Sequence, residues 1–124
     1  MFQTTTIEDN EALIVKPKHA FNKISLRYCD GIEFVSPHQI IYCKSEGSYT
    51  SVIMEYKKKL VCKQLGVMEN MLDHHNFFRT HRSFLVNLNH IKKYISINGG
   101  YLIMSNGDKV NVSRRRKKQL LQLF

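Results

Sequence analysis

The chain shows short runs of alternating apolar and polar residues, which begin near residue 24 and continue to residue 112. Ile24–Tyr28 and residues 32–35 both alternate with a period of two, which is typical of half-buried strands. The Asp30-Gly31 pair between them predicts a tight hairpin turn. Further strands are predicted at residues 40–43, 49–56, 60–64, 84–86, 91–97, 101–104 and 110–112.

Helical spacing is found in only two longer segments. In residues 66–75 the apolar side chains recur every three to four positions, which predicts a helix facing the core. Ser113 is placed to cap a final helix over residues 114–123, and Ser36 followed by Pro37 predicts one short helical turn. Many short strands with two modest helices indicate a mostly β fold.

The first 22 residues differ from the rest of the chain. They are rich in Thr, Glu, Asp and Asn, and they contain one apolar stretch, residues 12–15, before Pro17. We interpret residues 1–22 as a tail or interdomain linker with one loosely attached strand. The 124-residue length then predicts a single domain over residues 23–124.

Charge changes the picture, because 19 Lys and Arg stand against 10 Asp and Glu and give a formal charge of +9. Such an excess suggests a polyanionic partner, with nucleic acid as the first candidate. No leader and no run of 18 apolar residues is present, so no membrane partner is expected. Three widely spaced cysteines predict no disulfide framework and fit a reducing, cytoplasmic location.

Catalysis has weak support in the sequence. None of the six histidines has metal-ligand spacing, and no phosphate-binding glycine loop occurs. Cys43 or Cys62 could pair with His81 in a hydrolase, but no glycine elbow surrounds either cysteine, so core packing is the favoured interpretation. A small ribonuclease using His81 and His90 stays open as an alternative. We predict no catalytic residue, no metal and no cofactor.

Three basic segments are the candidate binding elements. Residues 77–87 predict a loop with buried aromatic ends and an outward basic middle that contains Arg82; for Arg79 and Asn87 we favour a salt bridge and a local hydrogen bond. Residues 113–118 place five consecutive cations at the start of the last helix, where backbone amides also attract phosphate. Residues 44–50 form a polar loop with a cation, hydroxyls and an aromatic ring.

Together the strings IIYCKSEGSYT, FFRTHRSFLVNLNHI and GDKVNVSRR closely resemble the LytTR DNA-binding domain, the output module of LytR/AlgR-type bacterial response regulators. The resemblance covers about residues 23–124, and the block FxRxHRSxxVN is its most specific part. It implies an elongated, multi-sheet, mostly β fold with one or two short helices. It also implies sequence-specific binding of double-stranded DNA, with loops in successive major grooves of direct-repeat sites.

The resemblance also implies roles for individual residues. The base-reading positions correspond to Tyr49, Arg82 and either Arg114 or Arg115, since the last segment aligns only to within one residue. The phosphate-contacting positions correspond to Lys44, Thr50, Ser83, Ser113 and Lys117. Arg116 departs from the pattern, in which an aromatic or apolar residue is common.

Partners follow from the same resemblance: duplex DNA, a second copy on tandem sites, and a receiver domain or sensor kinase of a two-component system. Twenty-two leading residues cannot form a receiver domain, so the chain is either an excised fragment or a freestanding regulator. A protein-interaction module on the same fold, without DNA binding, is the main alternative function.

Overall fold

A computed structural model describes residues 22–124. Within them the chain forms ten strands, two α-helices and three single 3₁₀ turns. The strands are β1 Ile24–Tyr28, β2 Gly31–Val35, β3 Ile40–Glu46, β4 Tyr49–Met54, β5 Lys58–Val61, β6 Phe77–His81, β7 Phe84–Asn87, β8 Ile91–Ile95, β9 Tyr101–Met104 and β10 Lys109–Asn111. The α-helices are α1 Leu65–Met71 and α2 Arg114–Leu121, and the 3₁₀ turns are Pro37–Gln39, Leu88–His90 and Ile97–Gly99.

The strands form three antiparallel sheets. A central five-stranded sheet has the order β5-β4-β3-β7-β6, a two-stranded ribbon pairs β1 with β2, and a three-stranded sheet has the order β10-β9-β8. The predicted mostly β, multi-sheet class with few short helices is therefore confirmed.

Two hydrophobic clusters join the layers. The first contains Leu26 from the ribbon and Met68 and Leu72 from the α1 segment, together with central-sheet side chains. The second contains Leu102 from the three-stranded sheet and Leu120 from α2, again with central-sheet side chains. Burying each such side chain stabilises the fold by about 1.5–3 kcal/mol. The central sheet is thus covered on both faces.

Strand β3 contributes to both clusters, and a bulge interrupts its alternation between them. Its register against β4 shifts between Ile40 and Tyr42, so Ile41 is an extra residue. Ile40 and Cys43 pack in the first cluster, whereas the successive residues Ile41 and Tyr42 both pack in the second. In a regular strand two successive side chains would point to opposite faces.

The short turns agree with their sequence signals. Tyr28 pairs with Gly31 across the Asp30-Gly31 hairpin. At Ser36 the backbone N–H donates to Gln39 Oε1 at 2.8 Å, and Pro37 occupies the first position of the 3₁₀ turn. These two predictions needed only local turn chemistry, and they are confirmed.

Several predicted boundaries were wrong. Residues 77–87 form the hairpin β6–β7 rather than a loop, because Phe77, Phe78 and Arg79 pair in register with β7. Helix α1 ends at Met71 rather than His75, since the chain turns before Asn76, whose φ is +63°. Strand β5 begins at Lys58 because Met54 N donates to Lys57 O at 2.9 Å and closes the turn early.

The tail predicted over residues 1–22, with its strand at residues 12–15, lies outside the described residues except for Asn22, so the domain boundary stays a prediction. Among residues 22–124, Cys43 is buried, whereas Cys29 and Cys62 are exposed. No helix in this part of the chain is long and apolar enough to cross a membrane.

Candidate nucleic-acid interface

The β3–β4 hairpin presents the first group of predicted residues. Glu46 pairs with Tyr49 across a turn in which Gly47 has φ +66°, a conformation that favours glycine. Lys44 is exposed, and Tyr49 exposes 47% of its surface. A hydrogen bond of 3.1 Å from Ser51 Oγ to Glu46 Oε2 ties the strands together below the turn. The hairpin end therefore offers a cation and an aromatic phenol to a ligand.

Thr50 does not belong to this surface. It is 0% exposed, and its hydroxyl donates to Lys63 O at 2.7 Å. In the strand its side chain points to the core side of the sheet, opposite to those of Tyr49 and Ser51. The predicted phosphate contact by Thr50 is therefore wrong for this conformation, since its hydroxyl is occupied inside the protein.

The β6–β7 turn carries Arg82 and Ser83, which are exposed and half-buried respectively. The backbone N–H of Ser45 donates to Ser83 O at 2.9 Å, so this turn lies directly beside strand β3 near its hairpin end. In the same turn, Ser83 N–H donates to His81 Nδ1 at 3.1 Å. A neutral His81 ring then carries its proton on Nε2.

The Arg79 side chain stabilises this turn through hydrogen bonds to two of its carbonyl groups. Its Nε donates to His81 O at 3.1 Å and one terminal nitrogen donates to Arg82 O at 2.6 Å. The other terminal nitrogen forms an ion pair of 2.7 Å with Glu69 Oε1 in α1. The planar guanidinium supplies donors in a fixed fork, so one side chain orients two carbonyls and a carboxylate at once. We call Arg79, Glu69 and these two carbonyls the Arg79 network.

Asn87 also has a structural role. Its side-chain amide donates to Ile40 O at 3.0 Å, and its side-chain oxygen accepts from Asn89 N at 3.0 Å. The interpretation of Arg79 and Asn87 as structural residues agrees with these contacts.

The third element is the start of α2. Ser113 Oγ accepts from Arg116 N at 3.2 Å and caps the helix, which leaves its hydroxyl hydrogen free for a ligand. Ser113 N donates to Thr80 O at 2.8 Å. The β6–β7 register shifts between Arg79 and His81, so Thr80 is an extra residue without a partner in β7. Its carbonyl oxygen can therefore accept from Ser113. The bulge therefore anchors the helix start beside the Arg82 turn.

A cleft of about 390 Å³ lies between the last two elements. Its lining residues are Glu69, Arg79, His81, Arg82, Ser113, Arg115 and Arg116. Arg82 and Arg115 thus reach one cavity. Arg114 is exposed but does not line it, which distinguishes two residues that the sequence alignment left equivalent.

The remaining predicted cation, Lys117, lies deeper along α2, with Nζ 5.8 Å from the centre of the Tyr94 ring. Arg116, the residue that departs from the family pattern, has its guanidinium 5.8 Å from the centre of the Phe78 ring. A cation over an aromatic face is attracted by the ring quadrupole. Arg116 therefore packs against the aromatic ring instead of disturbing the first turn of the helix.

We call the surface formed by these three elements the basic edge. It comprises Lys44, Tyr49, Arg82, Ser83, Ser113, Arg114 and Arg115. The Ser45–Ser83 and Ser113–Thr80 hydrogen bonds join its parts into one continuous series of contacts. The sequence favours a salt bridge for Arg79 but does not predict its partner, because the pairing with Glu69 links two elements whose packing has no spacing signal.

The residues named for the hydrolase and ribonuclease alternatives do not form a catalytic arrangement. Burial raises the pKa of the Cys43 thiol to about 12, so it is not a thiolate at neutral pH. His81 lies at the turn end of the β6–β7 hairpin, whereas His90 lies beyond its open end, where its ring nitrogens lie within hydrogen-bonding distance of His38 O and Ser105 Oγ. In residues 22–124 no group of three or more His, Cys, Asp or Glu side chains is arranged to hold a metal ion.

Fold and site together define a small β-rich module with a basic binding edge. The family profile described as LytTr DNA-binding domain matches residues 30–124. The chain therefore belongs to the LytTr DNA-binding domain family, a family of DNA-binding domains of transcriptional regulators.

Individual relatives agree with this assignment. The sensory transduction protein LytT of Bacillus subtilis is 36% identical over 105 residues, covering 83% of this chain and 44% of that protein. The CO-responsive transcriptional regulator RcoM of Rhodospirillum rubrum is 30% identical over 111 residues, covering 87% of this chain and 47% of that protein. The chain thus spans less than half the length of these relatives.

A solved structure shares the fold. It is the LytTr DNA-binding domain of a response regulator from Bacillus cereus, with a TM-score of 0.71 and 30% identity. The match covers 82% of this chain and 95% of that one.

Proposed function

We propose that this domain binds double-stranded DNA sequence-specifically and serves as the DNA-binding part of a bacterial transcription regulator. The observation that carries the proposal is the joining of three separate basic elements into one edge, with Arg82 and Arg115 lining the same cleft. An edge of this kind can contact several phosphates and base edges of a duplex at the same time.

Base reading is assigned to Tyr49, Arg82 and Arg115, with Arg114 as a neighbouring contact. An arginine can donate two hydrogen bonds to the O6 and N7 atoms of one guanine in the major groove. The Arg79 network supports this role for Arg82, because it limits the freedom of the backbone that carries the side chain. Tyr49 adds a phenol hydroxyl and a ring face.

Phosphate contacts are assigned to Lys44, Ser83, Ser113 and Lys117. Ser113 is the most favourable of them, since it combines a free hydroxyl hydrogen with the amides at the start of α2. Lys117 is held over Tyr94, so its ammonium has a limited range of positions. These contacts fix the register of the duplex but carry no direct sequence information.

The regulatory setting is part of the proposal. We propose that two copies occupy the halves of a direct-repeat site. In the full-length regulator, a receiver domain or a sensor kinase controls binding. A titration on a duplex with two selected half-sites would show two shifted species, and a duplex with one half-site would show one.

The test begins with selection of bound fragments from random duplex DNA, using the whole chain. On the selected site, Arg82→Ala is expected to lose about 1–3 kcal/mol of binding free energy, or roughly 5- to 150-fold in affinity, and to relax discrimination at one base position. Arg27→Ala is the matched control, because Arg27 is also an exposed arginine and lies on the ribbon strand β1, outside the basic edge. Unchanged affinity and preference in Arg82→Ala would reject the role of Arg82.

A second measurement separates phosphate contacts from base contacts. Lys117→Gln is expected to weaken all sequences equally and to reduce the slope of log affinity against log salt by about one unit. If the wild-type chain shows no salt-dependent affinity for any duplex, the proposal fails and a protein-interaction role becomes the better explanation.

A further inference from the structure

The last part of the chain carries most of the excess positive charge, and the basic edge accounts for only part of it. Residues 88–124 contain one acidic residue, Asp108, and eight basic ones, which are Lys92, Lys93, Lys109, Arg114, Arg115, Arg116, Lys117 and Lys118. The first three of these lie in β8 and β10 of the three-stranded sheet, whereas the other five lie in α2.

Two of these lysines lie in one cross-strand row. Ile103 in the middle strand β9 pairs with Lys93 of β8 on one side and with Lys109 of β10 on the other. The Cα atoms of the two lysines are therefore about 10 Å apart, since neighbouring strands are separated by about 4.8 Å. Both are exposed. At this separation across solvent the two charges repel each other only weakly, and together they attract an anion that lies between or above them.

The row faces outward. Leu102, Met104 and Val110 point to the second cluster and are buried, so Tyr101, Ile103 and the two lysines occupy the opposite, solvent-facing side. Lys109 Nζ lies 4.4 Å from the centre of the Tyr101 ring. A cation held over an aromatic ring keeps its charge available while losing part of its freedom. We call Lys93, Tyr101, Ile103 and Lys109 the outer face.

No acidic side chain compensates this face within the described residues. Asp108 is turned to the core side, where its Oδ2 accepts from Tyr42 Oη at 2.9 Å and from Asn106 Nδ2 at 3.1 Å. The ion pairs found in residues 22–124 are Lys57–Glu33 and Arg79–Glu69, and His74 Nε2 lies 3.9 Å from Asp73 Oδ2. The charge of the outer face is therefore not neutralised by this part of the protein.

The outer face is continuous with the basic edge. Strand β10 leads through the buried Val112 into Ser113, whose backbone is still extended at φ −68° and ψ 151°. Alternation along an extended chain places Lys109, Asn111 and Ser113 on the same side. A duplex contacting Ser113 can therefore continue past the helix start onto the outer face.

We propose that the outer face, through Lys93 and Lys109, contacts the phosphate backbone of duplex DNA flanking the site read by the basic edge. The inference rests on the proposed function. It lengthens the DNA footprint beyond the three elements of the basic edge and adds two phosphate contacts without adding sequence information.

The experiment compares the Lys93→Gln/Lys109→Gln double variant with the wild-type chain on two duplexes. One carries a single selected site with about ten flanking base pairs on each side, and the other is trimmed to the site alone. On the long duplex the salt slope of the double variant is expected to fall by about two units, with unchanged sequence preference. On the trimmed duplex the two proteins are expected to bind alike.

The matched control is Lys23→Gln/Lys58→Gln, which removes the same charge. Both lysines are exposed. Lys58 lies across from Ile53, far along β4 from the Gly47 turn, and Lys23 precedes the strand position that pairs with Val35. The control is expected to keep the wild-type slope. Restoring positive charge with Lys93→Arg/Lys109→Arg is expected to restore the slope and excludes a folding effect.

Three outcomes would overturn the inference. The first is an unchanged slope on the long duplex, and the second is an equal loss in the control variant, which reports net charge alone. The third is a loss seen only when two copies occupy a tandem site, because the outer face would then contact the neighbouring protein. Failure of the wild-type chain to bind any selected duplex is a separate result, which rejects the proposed function itself.

Discussion

Two hairpins carry predicted base-reading residues, and their turns are held in different ways. The β6–β7 turn, which carries Arg82, is fixed by the Arg79 network, by the Ser83–His81 hydrogen bond and by the Ser45–Ser83 bond. The β3–β4 turn, which carries Tyr49, relies on Gly47 in a left-handed conformation and on one hydrogen bond between Ser51 and Glu46. Side-chain contacts stabilise the first turn, and backbone conformation permits the second.

The difference indicates which of the two turns must hold its side chain in a precise position for base recognition. A bidentate arginine contact depends on the position and plane of the guanidinium, so the backbone beneath it must be well ordered. A tyrosine contributes a large rigid ring with few rotatable bonds and tolerates more movement of its turn. We therefore expect the two hairpins to respond differently to substitution.

The largest expected effect is that of Arg79→Ala. The variant loses three hydrogen bonds from a charged donor and leaves Glu69 without its partner, so the free energy of unfolding should fall by about 1–3 kcal/mol. It should also lose the base discrimination that depends on Arg82. Denaturant unfolding and binding to the selected site measure the two effects.

Arg79→Lys and Arg114→Ala sharpen this test. Lysine keeps the charge but cannot form the same planar fork, so the discrimination should not be restored fully. Arg114→Ala removes an exposed arginine outside the cleft and should leave stability unchanged within about 0.5 kcal/mol. A stable Arg79→Ala variant with normal discrimination would remove the distinction between the hairpins.

Gly47→Ala should have the next largest effect on stability. The φ of +66° becomes strained for a residue with a Cβ, although no atom lies within 4 Å of the added carbon, and the expected cost is about 1–2 kcal/mol. Gly66→Ala is a control with the opposite expected sign, because this glycine lies in α1 with open space around it. The variant's free energy of unfolding should rise by about 0.5 kcal/mol. Thermal unfolding of both variants gives the comparison. Equal shifts in the same direction would argue against a backbone-controlled turn.

Tyr49→Phe should be milder, and only in binding. The side chain is 47% exposed, so stability should not change, whereas the loss of one hydroxyl contact should weaken the selected site by about 0.5–1.5 kcal/mol. Competition binding with singly substituted sites would show which base pair depends on the hydroxyl. A loss as large as that of Arg82→Ala would mean that both turns need the same precision.

The smallest effect concerns thiol reactivity. Cys29 and Cys62 are exposed, whereas burial raises the pKa of Cys43 to about 12, so maleimide at pH 7 should label two of the three thiols in the native chain. Cys43 lies opposite Val52 in one hairpin and Leu85 in the other. Its slow labelling should accelerate more in Arg79→Ala than in Gly47→Ala, as mass spectrometry can measure. Rapid labelling of Cys43 in the wild type would show that the shared sheet opens readily.

Much of the fold could be predicted, because its turns and alternations are local. Asp30-Gly31, Ser36-Pro37 and Ser113 each carry their structural meaning in two to four residues. Residues 77–81 were predicted as a loop because the polar Arg79 and Thr80 interrupt the alternation. Both are explained only in three dimensions, by Glu69 in α1 for Arg79 and by a bulge bonded to Ser113 for Thr80.

The site could be predicted in position but not in detail. The three basic elements are visible as strings of residues, and the structure places them side by side. Burial of Thr50 was not visible, since a threonine beside an exposed tyrosine looks the same on either face until the register with Val61 is known. The separation of Arg115 from Arg114 likewise depends on which helix face lines the cleft.

The single extra residue Ile41 has a consequence for how β3 would respond to a deletion. Ile40 pairs with Met54 and Tyr42 pairs with Ile53, whereas Ile41 has no partner in β4 and lies on the same side as Tyr42. A chain without Ile41 would therefore alternate regularly from Ile40 onward and would keep Lys44 and Glu46 on their present face. This deletion should remove one buried side chain, at a cost of about 1.5–3 kcal/mol, and leave the ligand surface in place.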